Sequence, residues 1–215
     1  MTSIRSKITW LVVGTALLAT ATLAVLGYAS ARRQYLAGID RQLTAAVEAL
    51  PQLIGREDHD HAVAGDVPAD QYKAMVQALS DLADRSGVYY LYAFELRDGN
   101  VVHLATSASV AERAAGDWSA FREPYEEPPP ELLKTFEDGR TRFSEYTDEF
   151  GSFRSIFVRR TASEGGLYVT GADVTLTQIH ADLASLVTRY LAAGGAVALL
   201  AGLLGVVLAR PIAQR

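Results

Sequence analysis

Two stretches without a charged residue, 8–31 and 190–209, limit what this 215-residue chain can fold into more than any other feature. At about 1.5 Å per helical residue each is long enough to cross a hydrocarbon core of about 30 Å. A hydrophobic content of 49% spread evenly would suit one ordinary soluble domain; its concentration in two runs predicts two membrane spans. The first run has a second reading. Ala29-Ser30-Ala31, preceded by an apolar run and by Arg5 and Lys7, has the layout of a cleaved secretory signal. The apolar stretch 8–27 exceeds the roughly 7–15 residues of a signal's apolar region, which favours an uncleaved anchor. Under both readings the segment after this run is exported.

Charge sorts with the spans. All 25 acidic residues fall within 29–188 together with 15 of the 20 Lys and Arg, so that segment carries −10 and the rest of the chain is basic. Arg5, Lys7, Arg210 and Arg215 place both ends in the cytoplasm, although Arg32, Arg33 and Arg189 on the other side weaken the asymmetry. The expected layout is a cytoplasmic tail at 1–7, a transmembrane helix at 8–28, an extracytoplasmic domain at 29–188, a second transmembrane helix at 189–209 and a cytoplasmic linker from 210 to 215. An acidic exported domain argues against nucleic acid as a partner. With no cysteine there is no disulfide, thiol nucleophile or thiolate metal site.

Past the first span, Leu36, Ile39, Leu43, Ala46, Leu50 and Leu53 recur at steps of three and four, an apolar stripe on one helix. The stripe serves contact with the chain's own domain or a seam with a second copy, and both uses stand open. Pro51 predicts a kinked or lost final turn. Residues 57–65 are a polar loop, after which Asp66 and Pro68 open a helix whose Tyr72, Met75, Leu79 and Leu82 share a face, ended by Gly87. Residues 88–96 and 100–106 are β-rich and joined through Asp98-Gly99, a hairpin signal, with Val88, Tyr90, Tyr92, Phe94 and Leu96 on one face. The connection 107–130 is rich in Ala, Glu and Pro, but Trp118, Phe121 and Tyr125 predict that it is anchored. Pro129-Pro130 start a short helix that buries Leu132, Leu133 and Phe136 and stops at Gly139; strands come next at 140–147, 152–160 and 167–174. Ile179, Leu183 and Leu186 then lead directly into the second apolar run. The fold class expected is α+β: a five-stranded antiparallel sheet with a long N-terminal helix, flanked by two transmembrane helices.

Three stretches in this order resemble the periplasmic Cache (PDC, PAS-like) sensor domains of bacterial chemoreceptors, sensor kinases and diguanylate cyclases. They are Tyr89-Tyr90-Leu91-Tyr92 with Asp98-Gly99, the segment TDEFGSFRSIF at 147–157, and YVTGADVT at 168–175. The chain departs from many such domains at Val158-Arg159-Arg160, where they have Ala-Pro. LARPIAQR at 208–215 resembles the opening of a HAMP linker. The resemblance implies a PAS-like sheet in a homodimeric inner-membrane receptor, a small carboxylate-bearing ligand bound outside the cytoplasm, no cofactor, and a cytoplasmic output domain or partner. Chemotaxis is the first expectation for that output, a histidine kinase or diguanylate cyclase the second. A membrane-anchored scaffold that binds another protein is the alternative.

The ligand-binding residues expected are Tyr92, His103, Tyr146, Asp148, Arg154, Ser155 and Asp173. Arg154 shares a face with Ile156 and Val158; if these point to the pocket, its planar fork suits a carboxylate, and otherwise it pairs with Asp148 or Glu149 at the strand's edge. Tyr92, His103 and Tyr146 orient a ligand or serve as core residues with satisfied polar tips. Asp173 resembles the carboxylate that amino-acid-sensing relatives set against a ligand ammonium; as the residue before the exit helix it is also a natural N-cap. Trp118 is a lid or a loop anchor. His59 and His61 have the spacing of a chelating pair, but no third ligand is visible, so a solvated loop is expected and no metal. Catalytic signatures are missing: there is no G-x-S-x-G, H-E-x-x-H or phosphate-cradling loop, and Glu149-Phe150-Gly151 lacks the aspartate of the kinase metal loop. No enzyme is expected. Neither apolar run, 8–31 or 190–209, carries a charge, unlike a transporter pathway.

Overall fold

Asp98 and Gly99 both take positive φ, 50° and 85°, and so close a two-residue hairpin between β1 (Tyr90–Arg97) and β2 (Asn100–Thr106). The computed structural model describes residues 4–53, 65, 67–162 and 165–209. Its other strands are β3 (Arg142–Asp148), β4 (Gly151–Thr161) and β5 (Leu167–Thr175), and all neighbours pair antiparallel in the order β2-β1-β5-β4-β3. The last strand in sequence thus lies at the centre. The helices are α1 (Ile4–Leu53), α2 (Ala69–Ser86), α3 (Val110–Ala115), α4 (Pro130–Asp138) and α5 (Leu176–Ala209). The α+β, PAS-like architecture expected from the sequence is the one found.

The chain divides into two units, 37–179 and a second made of 1–36 with 180–215. In the first, strand alternation assigns the two sheet faces. Phe157 and Val169 join Tyr92, Phe94, Leu132 and Phe136 in one buried cluster, so α4 covers the face that holds the odd-numbered residues of β4 and β5. The even-numbered residues of β4 meet α1: Arg154 reaches Asp40 and Arg160 reaches Glu48. The stripe residues Ile39, Leu43, Ala46 and Leu50 are buried here, within a single chain. Gln42 ties α1 to the end of α2 by donating to the carbonyls of Ser86 and Gly87. Helix α1 runs through Pro51 to Leu53, so the final turn is kept.

Arg159 and Arg160, where the chain departs from the Ala-Pro of many Cache domains, go to opposite faces. Arg159 donates to the carbonyls of Phe136 and Glu137 at the end of α4, while Arg160 takes Glu48. Both arginines brace helices on the sheet.

The second unit consists of helical segments alone. Tyr28 meets Tyr190 edge-on at 6.5 Å, a Cβ on Gly27 would lie 2.7 Å from the Tyr190 ring, and Gly194 approaches Ala24 and Thr20. Small residues thus sit where the segments come closest. Tyr35 donates to Asp182 at 2.6 Å. Both α1 and α5 contain stretches long and apolar enough to cross a membrane. His59, His61 and the LARPIAQR linker beyond Ala209 lie outside the described residues.

Candidate ligand-binding chamber

Glycine at position 171 of β5 opens the sheet face opposite α1. It pairs with Tyr92 of β1, and a Cβ there would lie 2.1 Å from the edge of the Tyr92 ring. The tyrosine lies across the central strand because that strand has no side chain at this point. Its hydroxyl then donates to Asp173 Oδ1 at 2.6 Å, and Ser155 of β4 donates to the same oxygen at 2.5 Å. Tyr146 of β3 is a longer 3.4 Å from Oδ2. Asp173 is 2% exposed and has no cationic partner among the described residues. Burial, reinforced by the nearby Asp148, pushes its carboxyl up to about 7 against the opposing pull of the hydroxyls.

Around this carboxylate lies a chamber of about 270 Å³. Its aromatic wall comprises Tyr90, Tyr92, Phe94, Tyr125, Phe150 and Phe153. Tyr125 stacks on Phe94 at 5.2 Å and donates to Asp148, whose other oxygen accepts from the backbone N–H groups of Phe150 and Gly151. Tyr90 donates to Glu112 at 2.7 Å. Burial raises Tyr92, Tyr125 and Tyr146 above the ordinary phenol value, so all three hydroxyls stay protonated donors. Charged lining groups are of one sign: Glu112, Asp117, Glu123, Asp148, Glu149 and Asp173, with neither Lys nor Arg among the lining side chains described. His103 is held neutral, since burial lowers its pKa to about 4.

Of the seven residues expected from sequence, Tyr92, His103, Tyr146, Asp148 and Asp173 line the chamber. Ser155 lies behind Asp173 and fixes it. Arg154 lies on the other face of the sheet. Its Nε and Nη2 hold both oxygens of Asp40 at 2.8 and 2.9 Å, and Nη1 takes Glu145 at 2.9 Å. The clamp expectation needed Ile156 and Val158 to face the chamber, and alternation sends them with Arg154 toward α1 instead. The expected edge pairing with Asp148 or Glu149 is replaced as well, by Asp40 and Glu145. Asp173 does not cap α5; Thr175 does, accepting from the Gln178 N–H. Trp118 lines the chamber and also packs beside Tyr72 and Val76 of α2.

No family model matches the chain, and no curated protein matches it. Among solved structures it aligns with the isoleucine-bound sensory domain of the Campylobacter jejuni chemoreceptor Tlp3 at 11% identity and TM-score 0.47, over 86% of this chain and 68% of that one. The valine-bound form gives 12% identity and TM-score 0.45, over 86% and 68%. An extracellular ligand-binding receptor from Desulfohalobium retbaense gives 12% and 0.46, over 79% of this chain and 27% of that one. Similarity at this level does not identify a ligand, and the chemistry of the chamber stands on its own residues.

Sequence reasoning did not single out Tyr90, Glu112, Tyr125, Phe150 or Phe153 as chamber residues. One signal was available for Glu112. Ser109-x-x-Glu112 is a capping box that starts α3, with the Ser109 hydroxyl on the Glu112 N–H and the Glu112 carboxylate on the Ser109 N–H. That box turns Glu112 toward Tyr90.

Proposed function

We propose that the chain is the input region of a bacterial inner-membrane receptor, a binding device without catalytic activity, whose extracytoplasmic chamber takes a small organic cation. The observation that carries the ligand class is the single sign of the chamber's charge. A carboxylate-bearing ligand would bring a further anion beside Asp173 and Asp148 with no guanidinium or ammonium among the described lining side chains to meet it, at a cost of several kcal/mol. An ammonium supplies what the buried Asp173 lacks, and aromatic faces attract cations further. Arg154, the group that favoured a carboxylate, is occupied on the opposite face by Asp40 and Glu145.

Signal transfer is supported by chain order. Asp173 lies two residues before the end of β5, and α5 begins at Leu176 with no intervening residue. A ligand that favours one position of β5 shifts the population of α5 conformers coupled to it. A homodimer, a HAMP-type linker and a cytoplasmic output, chemotaxis first and a kinase or cyclase second, complete the reading.

The test is thermal unfolding of the full chain in detergent against a panel of alkylammonium ions, amino acids and dicarboxylates. Stabilisation of several degrees by amines alone is expected at saturating ligand. Stabilisation by dicarboxylates would overturn the ligand class, and a flat response to the whole panel would favour the protein-binding scaffold.

A further inference from the structure

His103 is the imidazole among the described chamber side chains, and its environment is specific. It is 6% exposed on β2, edge-on to Phe94 at 4.8 Å and tilted against Tyr125 at 5.9 Å, beside the stack those two rings form. Its Nδ1 is sealed and has no hydrogen-bond partner among the described residues. A neutral imidazole carries one N–H, and an N–H at Nδ1 would have nothing to donate to; the proton therefore belongs on Nε2. Nε2 is left as the ring's remaining polar atom, on a side chain that lines the chamber. Buried polar groups are as a rule hydrogen-bonded, so a donor kept free in an aromatic wall marks a ligand contact.

We infer that His103 forms a second subsite, donating from Nε2 to an uncharged oxygen at the far end of a ligand whose ammonium sits at Asp173. This inference rests on the cationic reading of the chamber. The two poles belong to different strands, β2 and β5, with β1 between them. The ligand is accordingly elongated, an amine carrying a hydroxyl, ether or carbonyl oxygen. A carboxylate at this pole is disfavoured because the ring offers no charge and Glu123 also lines the chamber.

The experiment measures affinities of the full chain in detergent by calorimetry, using ω-amino alcohols of about three to twelve carbons, because Asp173 lies opposite Tyr90 and His103 opposite Phe94, so the two backbone positions are two strands apart and offset along β1, ~16 Å in all before the side chains reach inward. Each is paired with the n-alkylamine bearing CH₃ in place of OH, and with the ω-amino acid bearing a carboxylate. At the best length the alcohol should bind about five- to tenfold tighter than its alkylamine, the value of one good neutral hydrogen bond. In His103→Phe, which keeps an aromatic ring beside the Phe94–Tyr125 stack, that ratio should fall to about one. If the alcohols and alkylamines bind wild type equally, or the ratio survives His103→Phe, the subsite is overturned while the cationic reading stands. An ω-amino acid that binds tightest overturns the uncharged pole. Failure of every amine overturns the cationic reading itself. Where His103→Phe does not fold, the wild-type ratio decides alone.

Discussion

Asp173 is a carboxylate that the fold surrounds with hydroxyls and leaves without a cation among the described residues, and this has consequences at two levels. For the empty protein, its pKa of about 7 lies above the unfolded value of 3.8. The folded state therefore binds the proton more tightly, and the resulting stability is fully present below pH ~4 and is lost as pH rises through about 7. Asp173→Asn, which can still accept from Tyr92 and Ser155, should remove this part of the pH dependence and raise the melting temperature at pH 8. For the liganded protein the sign reverses. A bound ammonium favours the ionised carboxylate, so binding must displace a proton wherever the empty site holds one. Between pH 8 and pH 6 the affinity for an alkylamine, itself fully charged across this range, should fall about tenfold. Calorimetry at the two pH values checks it; pH-independent affinity would mean that the ammonium does not sit at Asp173. Position 171 belongs to the same scale. Gly171→Ala forces the Tyr92 ring off β5 and should cost about 1–3 kcal/mol of stability, read from denaturant unfolding, with loss of amine binding.

At the scale of elements, β4 is read most directly through its arginines. Arg154 and Arg160 lie on the face toward α1 and meet Asp40 and Glu48, while Arg159 lies on the other and ends α4. The sequence shows alternation plainly, but not which parity faces the chamber, because hydrophobic residues occupy both faces of a strand covered on both sides. Ile156 and Phe157 are each fully buried, so neither marks the outside. The acids on α1 are a clue of another kind, eight residues apart like no feature of the strand alone, and they acquire meaning only once the helix is laid on the sheet. What local chemistry determines was legible: Asp98-Gly99 as a hairpin, Gly87 and Gly139 as left-handed helix ends, the apolar stripe of α1. What depends on residues far apart was not, as with Gly171 beneath Tyr92 or Tyr125 reaching Asp148. The placement of Arg154 yields its own test. The side chain is 17% exposed and holds Asp40 with two bonds, so Arg154→Met should destabilise the chain by about 1 kcal/mol, the Asp40 carboxylate remaining partly solvated. Amine affinity should change less than about threefold, since no atom of Arg154 lines the chamber. Abolished binding in a folded Arg154→Met protein would return the arginine to the ligand site.

For the whole molecule, charge distribution ties the sequence to the site. The segment 29–188 carries −10, and the chamber within it is lined by carboxylates without a Lys or Arg among the described lining residues. The overall sign was available from composition, and it already ran against a carboxylate-bearing ligand; the expected Arg154 clamp pointed the other way. A negative field concentrated in a low-dielectric cleft attracts cations and repels anions over a distance set by the ionic strength, about 10 Å at 0.1 M. Salt screens whichever of these operates, so the direction of the salt effect reports the ligand's charge. If the ligand is an amine, raising the salt from about 0.02 to 0.5 M should slow association severalfold, with a smaller effect on dissociation. An anionic ligand would associate faster as repulsion is screened. The chain has two tryptophans, and Trp118 lines the chamber while Trp10 lies in the first apolar run, so stopped-flow fluorescence of the full chain can follow binding at the site itself. An association rate that rises with salt would show that the field of this domain opposes its ligand, and the assignment of the chamber to a cation would fall with it.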